Sequence, residues 1–207
     1  MRLNEQECVV GERCILVPYR ECHVQKYHDW MQNGELLEAT SSERLTLAEE
    51  FEMRRSWQTD PDKLTFIILD VETYDKAQNE VEAMAGDING FVIESDYEEN
   101  RNRQKQITKC LELSVMIAEK AFRHRGLATE AVALMILYAN AKLSMRNFVA
   151  KIDAANQASM LLFEKLHFHR LKFDETFQCF TMRFDFANCF QRLTEKFSLK
   201  VEPYVNE

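Results

Sequence analysis

The sequence predicts a mixed α/β domain, on two observations. Apolar, β-rich runs open the chain at Arg13 to Pro18, recur in its middle, and close it as a pair after Phe168. Helical patterns lie between them, including a long one from Leu127 to Leu143 without Gly or Pro. Strands therefore come first, last and between helices, which argues against a purely parallel winding. The chain has 207 residues, 46% hydrophobic and 29% charged, which suits one domain over 1–207 with a sizeable core.

Taken in order, Arg13 to Pro18 reads as a strand and Glu21 to Met31 as an amphipathic helix. Thr46-Leu47-Ala48-Glu49 is a capping box that opens a helix through about Trp57, because Thr and Glu three apart can satisfy each other's backbone N–H. Asp60-Pro61-Asp62 marks a turn, and Thr65 to Val71 is a continuous apolar strand. Met84 to Ile93 is a further strand in which Gly86 and Gly90 signal bulges or close backbone approach. Glu94 to Lys109 runs acidic, then basic, with few apolar residues, and is expected to be a loop. Leu111 to Ala118 and Phe148 to Asp153 read as buried strands, and Phe168–Phe173 with Thr176–Phe186 as a closing strand pair. From about Ala187 the pattern weakens to a helix followed by an extended tail.

The turn Arg123-His124-Arg125-Gly126-Leu127-Ala128-Thr129-Glu130 carries the most chemistry. It joins a strand to a helix, so it is a helix N-terminus with unpaired N–H groups and the positive end of the helix dipole, which favour an anion. Gly126 lets a phosphate approach the backbone where a side chain would block it, and Arg123 and Arg125 add charge. A lone Arg-x-x-Gly-x-Ala is a weak pattern; its context strengthens it. A second strand follows, then Asn156-Gln157-Ala158-Ser159 opening another helix, then Glu164-Lys165-Leu166-His167-Phe168.

This succession resembles the acetyl-CoA-binding half of the GNAT N-acetyltransferases, and the turn looks like that family's pyrophosphate loop. Upstream, Leu16-Val17-Pro18-Tyr19 followed by His23, Tyr27, His28, Trp30 and Met31 looks like the opening of the branch that holds the ribosomal-protein alanine acetyltransferases. Over its whole length the chain is similar to the eukaryotic N-acetyltransferase 9-like group. The resemblance implies a GNAT acyl-CoA N-acyltransferase fold: a twisted, mostly antiparallel sheet of six or seven strands flanked by helices, splayed between its two central strands. It also implies acetyl-CoA as cosubstrate and a protein or peptide amine as acceptor, most simply an N-terminal α-amine.

The site residues follow from the same resemblance. Val115, Met116, Ile117, Arg123, Arg125, Gly126, Leu127, Ala128, Thr129, Asn156, Ser159 and Phe163 are the expected cofactor-binding set. Glu112 shares a strand face with Ser114 and Met116, and a carboxylate inside an apolar strand is costly unless paired or facing a cleft. Its family role is general base; its structural alternative is an ion pair. Ser159 is the expected donor to the leaving thiolate, where developing charge is best met by a preplaced O–H; Asn156 is also a natural helix cap. Two departures stand out. Phe163 occupies the position where many relatives have a tyrosine acid, and His167 stands where glycine is usual. The missing acid motivates a second reading, a GNAT-fold binding module acting on a protein partner such as tubulin in microtubules.

Composition excludes other classes. A formal charge of -8 opposes nucleic-acid binding, which depends on neutralising phosphates. No apolar run reaches about 18 residues and no signal peptide is evident, so no membrane partner is expected. Cysteines 8, 14, 22, 110, 179 and 189 form no Cys-x-x-Cys pair and are expected to be reduced thiols in the cytoplasm or nucleus. His167 and His169 lack the companions of a zinc site, and no metal is expected.

Overall fold

The computed structural model describes residues 2–95 and 108–205. Its strands are β1 (Glu7–Val10), β2 (Cys14–Pro18), β3 (Lys63–Asp70), β4 (Met84–Ser95), β5 (Thr108–Ile117), β6 (Phe148–Asp153), β7 (Phe168–Asp174), β8 (Cys179–Phe184) and β9 (Lys200–Pro203). Its α-helices are α1 (Val24–Trp30), α2 (Gly34–Thr40), α3 (Leu47–Thr59), α4 (Val71–Ala77), α5 (Glu80–Ala83), α6 (Leu127–Leu143), α7 (Gln157–Lys165) and α8 (Phe186–Lys196). The strands form one sheet in the order β7-β8-β6-β5-β4-β3-β2-β1-β9. Every neighbouring pair is antiparallel except β5 with β6.

Every residue of β3 is buried, as a strand covered on both faces must be. One face packs on α6, whose residues Glu130 to Ala139 are all buried; Phe66 of β3 meets Tyr138 of α6 edge-on at 5.3 Å. The other face carries Ile67 and Leu69, which cluster with Met84 of β4 and with Tyr27 and Trp30 of α1. Gly86 marks a close approach: a Cβ there would sit 1.8 Å from the Met116 carbonyl oxygen.

Among the described residues the sheet has nine strands where six or seven were expected. β1 and β9 are the additions, and they pair with each other from Glu7↔Pro203 to Val10↔Lys200. Each is four residues long, too short to show alternation, and they are far apart in sequence. The expected tail is accordingly α8 followed by β9. At the ends of the expected 94–109 loop, Glu94↔Lys109 and Ser95↔Thr108 are paired as strand; the rest of that segment lies outside the described residues.

The parallel pair is the feature that positions a site. β5 and β6 pair only at Leu111↔Phe148 and Glu112↔Val149, although β5 runs on to Ile117 and β6 to Asp153. The two strands diverge beyond that rung. The backbone groups along the facing edges of the gap are left for another partner.

Candidate active site

A cavity of about 700 Å³ opens in the gap. β5 contributes Val115, Met116 and Ile117 to its wall, and the following loop contributes Arg123 and Gly126. Leu127, Ala128 and Thr129 come from the first turn of α6; Asn156, Ser159 and Phe163 come from the start and inner face of α7. Eleven of the twelve expected cofactor-binding residues thus converge on one cavity, the exception being Arg125.

The N-terminus of α6, like that of α1, lacks the side-chain cap that the other α-helices carry. Asn33, Thr46, Asp70, Asn79, Asn156 and Asp185 each accept a hydrogen bond at the start of α2, α3, α4, α5, α7 and α8. At α6 the capping position is Gly126, with no side-chain cap, and the helical ladder begins only with Glu130 N–H donating to the Gly126 carbonyl. The N–H groups of Leu127, Ala128 and Thr129, which an α-helix cannot satisfy internally, therefore meet the cavity uncapped. The glycine is required by its φ of +86°; a Cβ there would only touch Arg13 Cδ at 3.4 Å. Backbone conformation, more than room for a phosphate, explains this residue.

The two arginines separate. Arg123 lies on the cavity wall and donates from Nε to the Ile117 carbonyl at 3.0 Å and from Nη2 to the Ala118 carbonyl at 3.3 Å, so it ties the loop to the end of β5. The side chain of Arg125 turns out of the cavity: Nη2 lies 3.2 Å from Asp70 Oδ2 and 2.9 Å from Glu72 Oε2. Two carboxylates at the start of α4 hold that cation, so the charge expected from its side chain is directed away from the cavity, while its backbone N–H stays in the loop ahead of Gly126.

Asn156 caps α7, its Oδ1 accepting from Ser159 N–H at 3.0 Å, and still lines the cavity, so its two expected roles coexist. Phe163 is buried and packs edge-on to Phe168 at 4.9 Å. Glu112 stands on the last paired rung, with Oε2 2.8 Å from Lys151 Nζ. It does not itself line the cavity; Lys151, Leu113 and Ser114 do. His167 takes a φ of 65°, keeping the left-handed turn that glycine would make without strain.

Sequence reasoning missed one wall. Glu35, Leu36 and Ala39 of α2 face the cavity, and the available signal was the cap, Asn33 Oδ1 accepting from Glu35 N–H at 2.9 Å. It also missed Glu130, whose carboxylate reaches from α6 to accept from the N–H groups of Glu12, Arg13 and Cys14 at 3.1, 2.7 and 2.8 Å. That bond set fixes the β1–β2 turn against the helix below the cavity. Cys22, His23 and Glu80 also converge, but His23 Nδ1 accepts from Arg20 N–H at 3.1 Å and Nε2 meets Glu80 at 2.8 Å. The single proton of a neutral ring then sits on Nε2 and leaves no lone pair for a cation. The described cysteines are all free thiols.

An acetyltransferase (GNAT) domain model matches residues 13–169. The chain belongs to the GNAT acetyltransferase family. It is 43% identical over 195 residues to an N-acetyltransferase 9-like protein of Nematostella vectensis, spanning 94% of this chain and 93% of the relative. It is 45% identical over 184 residues to a Drosophila melanogaster protein named alpha/beta-tubulin-N-acetyltransferase 9, spanning 88% of each. In fold it resembles a Vibrio cholerae spermidine N-acetyltransferase solved with CoA and spermine, at a TM-score of 0.63 and 14% identity over 83% of this chain and 93% of that one. An aminoglycoside acetyltransferase solved with coenzyme A gives 0.65 at 15% identity over 86% and 98%.

As a GNAT enzyme the chain is an acetyl-CoA-dependent N-acetyltransferase, and its site suits that cosubstrate. Uncapped N–H groups at a helix N-terminus fit a pyrophosphate. The unpaired edge of β5 past Glu112 fits the amide-bearing arm, and acetyl-CoA brings the activated acyl group.

Proposed function

We propose that the chain acetylates the N-terminal α-amine of a protein, with tubulin as the acceptor. The observation that carries the acceptor class is the 45% identity, across 88% of both chains, to a relative named as an alpha/beta-tubulin N-acetyltransferase. Proton energetics favour an α-amine independently. Only the neutral amine attacks a thioester, and an α-amine with a pKa of about 7.7 to 8.0 reaches that form at a cost about 3 kcal/mol lower than lysine at about 10.4.

In this reading Leu127, Ala128 and Thr129 hold the pyrophosphate through backbone N–H groups, and Asn156 faces the arm. The amine attacks directly, with no acyl-enzyme. Glu112 receives the amine's proton through water, at a remove set by its ion pair to Lys151. Ser159 assists departure of the thiolate, since Phe163 has no proton to give. Bringing the two reactants together is the largest single contribution, about 7 to 11 kcal/mol.

Matched peptides decide the acceptor: one set with a free N-terminus and no lysine, another with a blocked N-terminus and one lysine, scored by mass spectrometry. Acetylation of the free α-amines, tubulin N-terminal sequences among them, is expected. Faster modification of the blocked lysine peptides overturns the α-amine assignment. No turnover on any peptide returns the chain to a binding role on its partner.

A further inference from the structure

The face of the sheet opposite α6 carries three rows of side chains that run across β3, β4 and β5 toward the cavity. The pairing register sets them abreast: Ile67, Asp87 and Met116; Thr65, Asn89 and Ser114; Lys63, Phe91 and Glu112. Directly opposed residues of antiparallel strands project to the same face. Met116 and Ser114 line the cavity, so the first two rows end at it.

The middle row is the unusual one. Thr65 is fully buried, Asn89 is 8% exposed, and Ser114 is exposed. Thr65 Oγ1 donates to Asn89 Oδ1 at 2.6 Å, and Asn89 Nδ2 donates to Asp87 Oδ2 at 2.6 Å. Tyr27 O–H from α1 reaches the same Asp87 oxygen at 3.5 Å. A buried polar network is retained at a desolvation cost and fixes the orientation of its members. Asn89 is the member that stands directly opposite Ser114, the residue of this row that lines the cavity. A side-chain amide has two N–H groups and two lone pairs on oxygen, so these bonds leave it one N–H and one acceptor position, next to the exposed Ser114. That pair complements the C=O and N–H of an extended peptide or the heteroatoms of another polar amine.

We infer that Asn89, with Ser114 beside it, is the acceptor subsite, and that Thr65 and Asp87 are positioning residues that hold the Asn89 amide for the incoming amine-bearing molecule. The inference rests on the acetyltransferase activity and on the cavity being the donor site; it does not depend on the acceptor being an α-amine. The acceptor then reaches the gap from the α1 and α3 side, while the donor occupies the gap between β5 and β6.

Steady-state kinetics separate the two substrates. The acceptor is whichever of a free-N-terminus peptide, a lysine peptide or a polyamine the wild-type enzyme turns over fastest, so the choice among them tests the α-amine reading and the variants test this one. Asn89→Ala and Thr65→Val should each raise the acceptor KM about three- to tenfold, the worth of one lost hydrogen bond, with the acetyl-CoA KM within about twofold of wild type. Thr65→Ser, which keeps the hydroxyl, should restore the acceptor KM; a merely structural role for Thr65 predicts no such split. Ser114→Val, on an exposed position, gives the same reading if a buried variant fails to fold. An unchanged acceptor KM in the folded variants, or a rise confined to acetyl-CoA, overturns the assignment.

Discussion

Glu112 and Lys151 close the apex of the gap, Oε2 to Nζ at 2.8 Å, one on each of the two strands that part there. The pair joins β5 to β6 just beyond their last rung and places a half-buried carboxylate at the end of the cavity. Such a bridge is compatible with two roles, a strand clasp and a proton acceptor, and the two partners' substitutions tell them apart.

A base acts in the transition state and a clasp acts on the fold. Glu112→Gln is expected to lower kcat about a hundredfold or more with acetyl-CoA affinity unchanged in calorimetry. Lys151→Met is expected to retain kcat to within about tenfold, since it leaves the carboxylate in place. Equal losses in both variants would assign the pair to structure alone.

Gly126→Asp makes a clean test of the phosphate site. Aspartate is a good helix cap, so on helix energetics alone the change offsets part of the left-handed strain at φ +86°. At a pyrophosphate site it adds a negative charge against the ligand. Loss of acetyl-CoA binding in a folded protein is expected by calorimetry; retained affinity would move the donor elsewhere.

Arg125→Ala should leave the acetyl-CoA KM within about threefold, because its side chain is taken up outside the cavity by the buried Asp70 and the exposed Glu72. Arg123→Ala should raise that KM more, since it frees the Ile117 and Ala118 carbonyls and loosens the loop. A reversed order in steady-state kinetics would contradict the geometry.

Under α3 and α1 lies a titrating cluster. Burial raises the Glu50 carboxyl to about 7. Burial also raises Asp87 to about 6, against the opposing pull of Asn89 and Lys63, and lowers the Lys63 ammonium to about 7. The carboxylates hold their protons more tightly folded than unfolded, so their contribution to stability falls as pH rises from about 4 to about 7. Lys63 holds its proton less tightly folded, so its contribution rises between about pH 7 and 10. Glu50→Gln should therefore stabilise the protein by about 1 to 3 kcal/mol at pH 8 and leave it near wild type at pH 4.5. Urea unfolding at the two pH values checks this, and equal midpoints at pH 8 would refute the buried charge.

His167→Gly should be neutral or stabilising by about 1 kcal/mol, because a φ of 65° strains a side-chain-bearing residue and not glycine. Thermal unfolding reads the shift. A clear loss of stability would show that the imidazole makes a contact that outweighs the strain.

Local order in the sequence determined those parts of the site that lie on contiguous elements. The capping box at Thr46, the uninterrupted helix from Leu127 to Leu143, and the run from Arg123 to Thr129 each carry their own signal, since backbone propensity, capping and a glycine at a left-handed position act over a few neighbours. Asn156, Ser159 and Phe163 were legible for the same reason, once the family resemblance gave the helix its place beside the gap. Tertiary structure decided what depends on partners distant in the chain. β9 exists as a strand because it pairs with β1 across almost the whole sequence, while β1 also pairs with β2 beside it; four residues hold too little periodicity to announce either strand. Arg125 left the cavity because folding brings Asp70 and Glu72 within reach, and charge pairing over more than fifty intervening residues has no local signature. The Thr65–Asn89–Asp87 network likewise follows from register: alternation predicts which residues share a face on one strand, but only the pairing of β3, β4 and β5 sets them abreast.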